Sequence, residues 1–259
     1  QSSTERIIVF TRYPQAGSVK TRLVPLLGEQ GAAELHKQMT EHIAGRVRRL
    51  CERRRAVFEV RYDGRCRLAM SRWLGRGIEY RKQEPADLGE RMNVAFRDAF
   101  EGGAERILLI GSDCPGITGD LLERGLEALH KHDVGLGPAA DGGYYLVGLS
   151  RMCPELFSDM TWGTSDVLER TLARAARWNL SLLLLDKLHD VDRPEDLSVW
   201  EAAKTVQQKT QPTPASQNDR AGLSNHSGSP CTAAQKARVH RSVPERAAAF
   251  ASRISVIVP

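Results

Sequence analysis

Short apolar runs alternate with longer amphipathic segments along the first 204 residues. The runs are bounded by turn residues, as buried strands are, and the segments between them carry apolar residues at every third or fourth position, as helices do. We therefore predict strands at residues 7–10, 57–62, 78–83, 106–111, 134–137, 144–149 and 182–185. We predict helices at residues 31–50, 67–74, 88–100, 119–130, 164–178 and 194–204.

This alternation predicts a single α/β domain over residues 5–204, with a mostly parallel sheet covered by helices on both faces. Only a short turn separates the strands at 134–137 and 144–149, so at least one pair should be antiparallel. The pattern ends after Lys204. Residues 205–230 are rich in Gln, Ser, Thr, Asn, Pro and Gly, a composition typical of disorder. We therefore predict a disordered tail at residues 205–259, in which the apolar run 254–258 has no assigned role.

Charge and composition narrow the possible partners. The net charge is +5, but residues 205–259 carry seven Lys or Arg against two Asp or Glu, so the first 204 residues are formally neutral. A basic tail is poor evidence for a nucleic-acid-binding fold. No apolar run approaches the length of about 20 residues that spans a bilayer. The five cysteines form no Cys-x-x-Cys pair, which argues against disulfides and structural zinc. We expect a cytoplasmic protein without nucleic-acid partner or membrane span.

The loop after the first strand is the first candidate site. It carries three cations, Arg12, Lys20 and Arg22, and a glycine, Gly17, that can shape the loop. Cations and free backbone N–H groups between a strand and a helix form an anion site, and phosphate is the usual anion. The alternative is a solvated basic loop. The position after the first strand favours phosphate binding.

Acidic residues follow two later strands. Asp113 comes directly after the strand at 106–111, and Asp192 follows the strand at 182–185. Carboxylate oxygens at these positions could hold Mg²⁺ or Mn²⁺ against a diphosphate. Each residue has a structural alternative. Asp113 could cap the following turn, and Asp192 could cap a helix just ahead of Pro194.

Asp141 stands between two apolar runs and is followed by Gly142 and Gly143. The glycines allow positive φ and close approach of a ligand to the backbone, so the three residues are candidates for substrate binding and catalysis. A tight hairpin turn would explain the same pattern.

A further candidate opens the helix predicted at 88–100. Asp87, Gly89 and Arg91 could contact a nucleotide, although an ordinary helix N-terminus with acids near the dipole would explain the acids. Cys114 fits a buried thiol better than a nucleophile. His36, His42, His130 and His132 show no metal-ligand spacing, and we interpret them as structural or exposed.

The joint placement of these residues is more specific than each alone. Cations follow the first strand and acids follow three later strands, all at strand ends where ligands bind in such sheets. Cations bind phosphates, a divalent metal bridges phosphate to carboxylate, and glycines admit an acceptor. This pattern predicts a transferase acting on a phosphorylated nucleotide or nucleotide-sugar.

Five segments together resemble one known family, the transferase family of domain of unknown function 2064 (DUF2064), within the nucleotide-diphospho-sugar transferase superfamily of glycosyltransferase A fold. The matching segments are residues 10–14 with Gly17 and 20–23, then 87–92, 111–115, 137–146 and 190–197. The resemblance implies a glycosyltransferase A fold whose N-terminal half holds the nucleotide and whose C-terminal half holds the acceptor. It places Asp113 at the metal-binding acid and Asp141 beside the transferred group or acceptor. One departure is Arg12, where many relatives are expected to carry Lys.

We therefore expect a metal-dependent glycosyltransferase that uses a nucleotide-activated sugar, a small-molecule acceptor and Mg²⁺ or Mn²⁺. Asp141 would orient or deprotonate the acceptor. One alternative is a nucleotidyltransferase that uses a nucleoside triphosphate, because the 20–23 and 141–143 segments are also similar to guanylyltransferases of the phospholactate type. A second alternative is a non-catalytic nucleotide-binding protein.

Overall fold

A computed structural model describes residues 4–84, 86–210 and 254–256. The strands are β1 (Glu5–Arg12), β2 (Val57–Asp63), β3 (Glu79–Lys82), β4 (Arg106–Gly111), β5 (Val134–Pro138), β6 (Tyr144–Leu149), β7 (Leu182–Leu184) and β8 (Ile254–Val256). The helices are α1 (Val24–Arg54), α2 (Arg67–Leu74), α3 (Leu88–Glu101), α4 (Gly119–Ala128), α5 (Val167–Arg177) and α6 (Leu197–Thr210).

The strands form one mixed sheet in the order β3-β2-β1-β4-β6-β5-β7-β8. β6 is antiparallel to both of its neighbours, β4 and β5. The other described pairings are parallel. This confirms the predicted mostly parallel α/β sheet and its antiparallel hairpin.

Helices cover both faces of the sheet. Alternate residues of one central strand enter different cores: Leu108 and Ile110 pack with α1, α2 and α4, whereas Ile107 and Leu109 pack with α3 and α5. Both faces of the strand are therefore buried, which explains the unbroken apolar run at 107–110. Burial of side chains this size contributes about 1.5–3 kcal/mol each relative to exposure.

A third, smaller core joins the C-terminal helix to the start of the chain. Trp200 of α6 is 5% exposed and shares a cluster with Leu23, Met39 and Val191. Leu23 and Val191 are direct neighbours in sequence of Arg22 and Asp192. The cluster thus anchors two segments that carry predicted site residues.

Several element boundaries differ from the prediction. α1 begins at Val24 rather than at residue 31, because Pro25 fits a first helical turn and the chain resumes the helix after Gly28, whose φ of 68° interrupts it. α5 begins at Val167, with Asp166 at its N-cap rather than inside its first turn.

The C-terminal end of the predicted domain also differs in part from the structure. α6 continues beyond residue 204 to Thr210, and Ile254–Val256 pairs with β7 at the sheet edge. The remaining residues of the predicted tail lie outside the described part of the chain, so the tail's disorder and the domain limit at 204 stay predictions. Within the described part, no helix is both long and apolar enough to cross a membrane.

Candidate active site

Two cavities adjoin at the edge of the sheet where the parallel strands end. The larger has a volume of about 530 Å³ and the smaller about 280 Å³. Leu88, Gly111 and Asp113 line both of them. The sheet order places the end of β4, which carries Gly111 and leads to Asp113, beside the end of β1 and the start of β6. Asp113 therefore stands at the junction of two compartments.

Lys20 binds the segments around the larger cavity together. Its side chain is 3% exposed, and its Nζ lies 2.6 Å from Asp113 Oδ1 and 3.3 Å from Asp192 Oδ1. Nζ also donates to the carbonyl oxygen of Val191 at 2.6 Å. An ammonium has three N–H donors, so protein oxygens take all of them. The predicted phosphate cation is, in this structure, the link between the predicted metal-binding acids.

Lys20 and Asp113 stabilise each other's charged form. Burial lowers the pKa of the Lys20 ammonium, but the charges of Asp113 and Asp192 outweigh that penalty, so this pKa lies above its ordinary value. Burial likewise raises the pKa of Asp113, but the charge and hydrogen bond of Lys20 hold it below its ordinary value. Asp113 is therefore ionised at neutral pH, and half of its side-chain surface (52%) remains exposed.

Three arginines add positive charge to the larger cavity: Arg12, Arg22 and Arg91. Arg12 and Arg22 are 60% and 63% exposed, and they pair with Asp63 at 3.7 Å and with Asp192 at 2.7 Å. Arg91 reaches in from the first turn of α3, where its Nη1 lies 3.4 Å from Gln83 Oε1. The structure thus brings together Arg12, Lys20, Arg22 and Arg91 from three separate segments of the chain.

Main-chain hydrogen bonds hold the segment after β7 against the ends of two other strands. Leu188 exchanges bonds with Pro138 and Ala140 at the end of β5. The N–H of Val191 donates to the carbonyl oxygen of Asp113 at 2.9 Å. This path places Asp192 beside Lys20 and Arg22, and it places Asp190 in the wall of the smaller cavity.

Asp141 lies in the turn between β5 and β6 and lines the smaller cavity. The N–H of Gly143 donates to Asp141 Oδ1 at 2.9 Å, which orients the carboxylate. Gly142 has φ of 92°, and a Cβ there would lie 2.0 Å from the carbonyl oxygen of Ser165. The turn interpretation and the site interpretation are therefore compatible, because one tight turn presents the acid to the cavity.

The smaller cavity combines acids with aromatic rings. Asp113, Asp141 and Asp190 line it together with Tyr144, Tyr145 and Trp162, and no Lys or Arg is among the described residues of its wall. Burial, followed by the charge of Asp141, raises the pKa of Asp190. The buried Cys114 thiol also lines this cavity, and burial raises its pKa. A raised pKa is the opposite of what a thiolate nucleophile needs.

Three residues predicted to bind the nucleotide lie outside the walls of both cavities. Asp87 is the N-cap of α3 and accepts a hydrogen bond from Glu90 N at 3.0 Å, as the helix-terminus alternative expects. Gly89 is buried under Trp162, where a Cβ would lie 2.9 Å from the indole ring. Gly17 lies in an exposed turn with φ of 76°. Among the described residues, the walls of the two cavities include none of the three.

Sequence reasoning missed His36 and Gln83 in the larger cavity and Trp162 in the smaller one. His36 Nε2 lies 3.0 Å from the carbonyl oxygen of Arg12, and Gln83 donates to the carbonyl oxygen of Arg61 at 2.9 Å. Both residues support the ends of β1 and β2. Neither position carries a local sequence signal, because each is distant in the chain from the strand end that it contacts.

Comparison with known proteins agrees with this architecture. Residues 46–164 match the model of a protein family described as an uncharacterised protein conserved in bacteria, DUF2064. A crystal structure from Desulfovibrio desulfuricans G20, provisionally assigned as a nucleotide-diphospho-sugar transferase, is 30% identical and has a TM-score of 0.70. The similarity covers 80% of this chain and 98% of that one. The chain belongs to the DUF2064 family.

More distant structures share only the fold. CMP:2-keto-3-deoxy-manno-octonic acid synthetase complexed with CTP is 13% identical with a TM-score of 0.50, over 79% of this chain and 99% of that one. A homologue of Rv0371c from Mycobacterium sp. strain JC1 is 18% identical, also at 0.50, over 80% and 98%. Among curated proteins, none matches the chain. These comparisons confirm three predictions for this DUF2064 protein: the family, the nucleotide-diphospho-sugar transferase fold and the transferase class.

Proposed function

We propose that this DUF2064 protein is a metal-dependent glycosyltransferase that moves a sugar from a nucleotide-activated donor to a hydroxyl group of a small-molecule acceptor. The observation that carries the proposal is the pair of adjoining cavities that share Asp113. One is lined by four cations, and the other has three carboxylates and no cation among the described residues of its wall. A diphosphate fits the first, and an uncharged acceptor fits the second.

Arg12, Arg22 and Arg91 are the residues that would bind the diphosphate. Guanidinium groups bind phosphate oxygens in a bidentate geometry, and the first two are exposed at the mouth of the cavity. Lys20 has all three donors engaged, so its role in the proposal is to hold Asp113 and Asp192 in place. Leu88 is 42% exposed between the cavities, where it offers an apolar contact to a base or sugar.

The donor set fits Mg²⁺ or Mn²⁺ bound together with phosphate, rather than a complete protein cage. Among the described residues there is no group of three or more His, Cys, Asp or Glu side chains arranged for a metal. Mg²⁺ in such enzymes takes one or two carboxylates and completes its shell with phosphates and waters. Both oxygens of Asp192 are in ion pairs, with Lys20 and Arg22. We therefore assign metal binding to Asp113.

When bound, the metal would stabilise negative charge on the leaving phosphate. The remaining chemistry belongs to side chains. Asp141, held by the N–H of Gly143, would accept the proton of the acceptor hydroxyl as a general base. The carboxylates of the smaller cavity disfavour a phosphorylated acceptor, since like charges repel in a partly desolvated site.

A nucleotidyltransferase is the second candidate, and the four cations of the larger cavity favour it. A nucleoside triphosphate carries more charge than a nucleotide-sugar and would engage the three arginines, since the donors of Lys20 are bound to protein oxygens. If its acceptor is a sugar phosphate, the described residues of the smaller cavity supply no cation to bind that phosphate. The two candidates thus make opposite demands on the smaller cavity.

A panel of nucleotide-sugars and nucleoside triphosphates, each with Mg²⁺ or Mn²⁺, tests the proposal. A ligand that binds the folded state raises the melting temperature according to its concentration relative to Kd. The proposal expects stabilisation by one class of nucleotide-sugar, followed by release of the nucleoside diphosphate when an acceptor is added. Pyrophosphate release from a triphosphate would establish the second candidate instead. Binding without turnover would indicate a non-catalytic protein.

Asp113→Asn should remove most of the metal-dependent turnover while the fold survives, because the amide cannot supply the charge that binds a divalent cation. The measurement is a metal titration of turnover, with circular dichroism to check folding. Asp120→Asn is the matched control, since Asp120 is an exposed residue outside both cavity walls. Unchanged metal dependence in Asp113→Asn would remove the ligand assignment.

A further inference from the structure

The smaller cavity has one wall that the proposed chemistry does not require. Trp162 lines this cavity beside Tyr144 and Tyr145. These three side chains are aromatic, whereas Asp141 and Asp190 bring carboxylates to the same cavity. General-base catalysis at Asp141 needs no aromatic wall. On the basis of the proposed function, this combination of side chains points to a chemical feature of the acceptor.

The fold fixes the indole of Trp162 in this wall. Gly89, buried in the first turn of α3, leaves room both for the backbone at Phe157 and for this indole: a Cβ at this position would lie 2.6 Å from the carbonyl oxygen of Phe157, 2.9 Å from Trp162 Cζ2 and 3.0 Å from Nε1. The ring of Tyr144 meets the indole edge-on, with centroids 6.4 Å apart and planes at 88°. A glycine in α3 and a tyrosine in β6 thus hold Trp162, although Trp162 itself lies in a loop.

The polar wall suits hydroxyl groups. Asp141 and Asp190 have no ion-pair partner among the described residues, and one oxygen of Asp141 already accepts from Gly143 N. An ionised carboxylate is an acceptor only, with several lone pairs available to hydroxyl donors. Charge-assisted hydrogen bonds of this kind are stronger than neutral ones. The same charges repel a phosphate or carboxylate ligand.

The cavity is small for a ligand site. At about 280 Å³ it lies just below the range of about 300–1,000 Å³ typical of drug-sized ligands. It therefore suits one ring rather than an oligomer. Aromatic side chains and hydrogen-bond acceptors that line the same cavity match a pyranose or furanose, which has an apolar face of C–H groups and a rim of hydroxyls.

We propose that the smaller cavity is a subsite for a single uncharged sugar ring, which stacks on Trp162 while its hydroxyls donate to Asp141 and Asp190. The acceptor of the transfer is then itself a neutral monosaccharide or a glycoside with such a ring at its end. Trp162 is the residue that determines this specificity, and Gly89 is a positioning residue that keeps the indole in the wall.

Tryptophan fluorescence of the full chain tests the subsite without any need for turnover. Neutral hexoses, pentoses and their methyl glycosides are titrated in the presence of Mg²⁺ and a nucleoside diphosphate, next to the corresponding sugar phosphates. We expect a saturable emission change with at least one neutral sugar, and at least about tenfold weaker binding of its phosphate. No saturable binding by any neutral sugar, or tighter binding of the phosphates, overturns the proposal.

Two substitutions of Trp162 test whether the emission change comes from this residue. Trp162→Phe should abolish the emission change yet keep measurable sugar binding by calorimetry, because phenylalanine retains an aromatic face. Trp162→Ala should weaken binding by about tenfold while nucleotide affinity stays unchanged. Trp178→Phe is the matched control, since Trp178 is 52% exposed and outside both cavity walls. An emission change that persists in Trp162→Phe contradicts the subsite.

The outcome separates this inference from the proposed function. Transfer from a nucleotide-sugar to a non-sugar acceptor, with no binding of neutral sugars, removes the subsite and leaves the glycosyltransferase proposal intact. Tight binding of sugar phosphates with pyrophosphate release removes both.

Discussion

Lys20 shows how one side chain can have a different role from the one that its sequence context indicates. A lysine in a basic loop after the first strand predicts a phosphate contact, but its ammonium is buried and bonded to three protein oxygens. Lys20 therefore stabilises the arrangement of Asp113 and Asp192, whereas Arg12 and Arg22 remain accessible to a ligand at the surface.

Arg22→Ala should weaken binding of a nucleoside diphosphate by about tenfold at low salt, and should leave nucleoside binding unchanged. A charge-assisted hydrogen bond contributes about 1.5–3 kcal/mol, and the exposure of Arg22 favours the lower end of that range. The deficit should shrink as salt is raised, because screening also weakens the wild-type attraction. Calorimetry on both ligands is the measurement, with Arg97→Ala on the exposed surface of α3 as the control. Equal weakening for the two ligands would assign Arg22 a role in loop shape alone.

His36 should make stability depend on pH on the acidic side of neutrality. Burial is the largest effect on this imidazole and lowers its pKa, although the charge of Asp113 opposes the shift. The unfolded chain takes up a proton below about pH 6.5 that the folded imidazole resists, so the free energy of unfolding should fall as the pH drops through that range. The loss should be smaller in His36→Gln. Urea denaturation of both proteins between about pH 5 and 8 measures the difference, and identical profiles would show that His36 contributes nothing.

At the level of elements, the turn between β5 and β6 couples local backbone geometry to the site. Gly142 N donates to the carbonyl oxygen of Ala139 at 3.3 Å, and its own carbonyl oxygen accepts from Leu168 N in α5 at 2.9 Å. The turn that carries Asp141 is thus tied to the first turn of the next helix. No side chain fits between them, since a Cβ on Gly142 would meet Ser165 O at 2.0 Å.

Gly142→Ala should therefore lower the free energy of unfolding through two effects, the positive φ at this position and the clash of the new Cβ with Ser165. A non-glycine residue in such a conformation costs about 1–2 kcal/mol, and displacement of the backbone at Ser165 should add to it. Gly103→Ala isolates the first effect, because Gly103 has φ of 88° and a Cβ at that position would have nothing within 4 Å. Urea denaturation should show a larger loss for Gly142→Ala, accompanied by loss of turnover. Equal losses in the two variants would mean that the turn can move away from α5 freely.

At the level of the whole molecule, the C-terminal helix closes the domain at the site end of α1. Trp200 packs with Leu23 and Val191, which flank the cation and acid segments of the larger cavity. The segment beyond Thr210 has one described contact with the domain, the pairing of β8 with β7. Among the described residues, α6 thus contributes a buried side chain to the domain, whereas β8 contributes an edge pairing.

A chain that ends after Thr210 should keep its nucleotide affinity and most of its stability, because an edge pairing of three residues is all that the described structure loses. A chain that ends after Asp196 should be strongly destabilised, since loss of a buried Trp costs about 3–5 kcal/mol. Melting temperatures and calorimetric nucleotide affinities of both truncations, compared with the full chain, are the measurements. A large loss in the longer truncation would show that the tail packs on the domain.

The apolar pattern by itself determined the order and type of the strands from β1 to β7 and of the helices between and after them, and it predicted a site at the strand ends. Buried strands need continuous apolar runs and covering helices need a 3.6-residue period, and both signals are local in sequence. The positions of Arg12, Asp113 and Asp141 followed, because parallel strands deliver their carboxyl ends to one edge. Sequence could also offer the helix-terminus alternative for Asp87, since this acid directly precedes the helix pattern that begins at Leu88.

Only the tertiary structure decided which side chains face each other. The contacts of Lys20 with Val191 and Asp192 join residues more than 170 positions apart, and the packing of Trp162 over Gly89 joins α3 to a loop beyond β6. Such pairs leave no periodic trace, because they depend on how strand ends are ordered across the sheet. The division of the site into a cationic and an acidic cavity is for the same reason a property of the fold, which sets opposite charges on the two sides of Asp113.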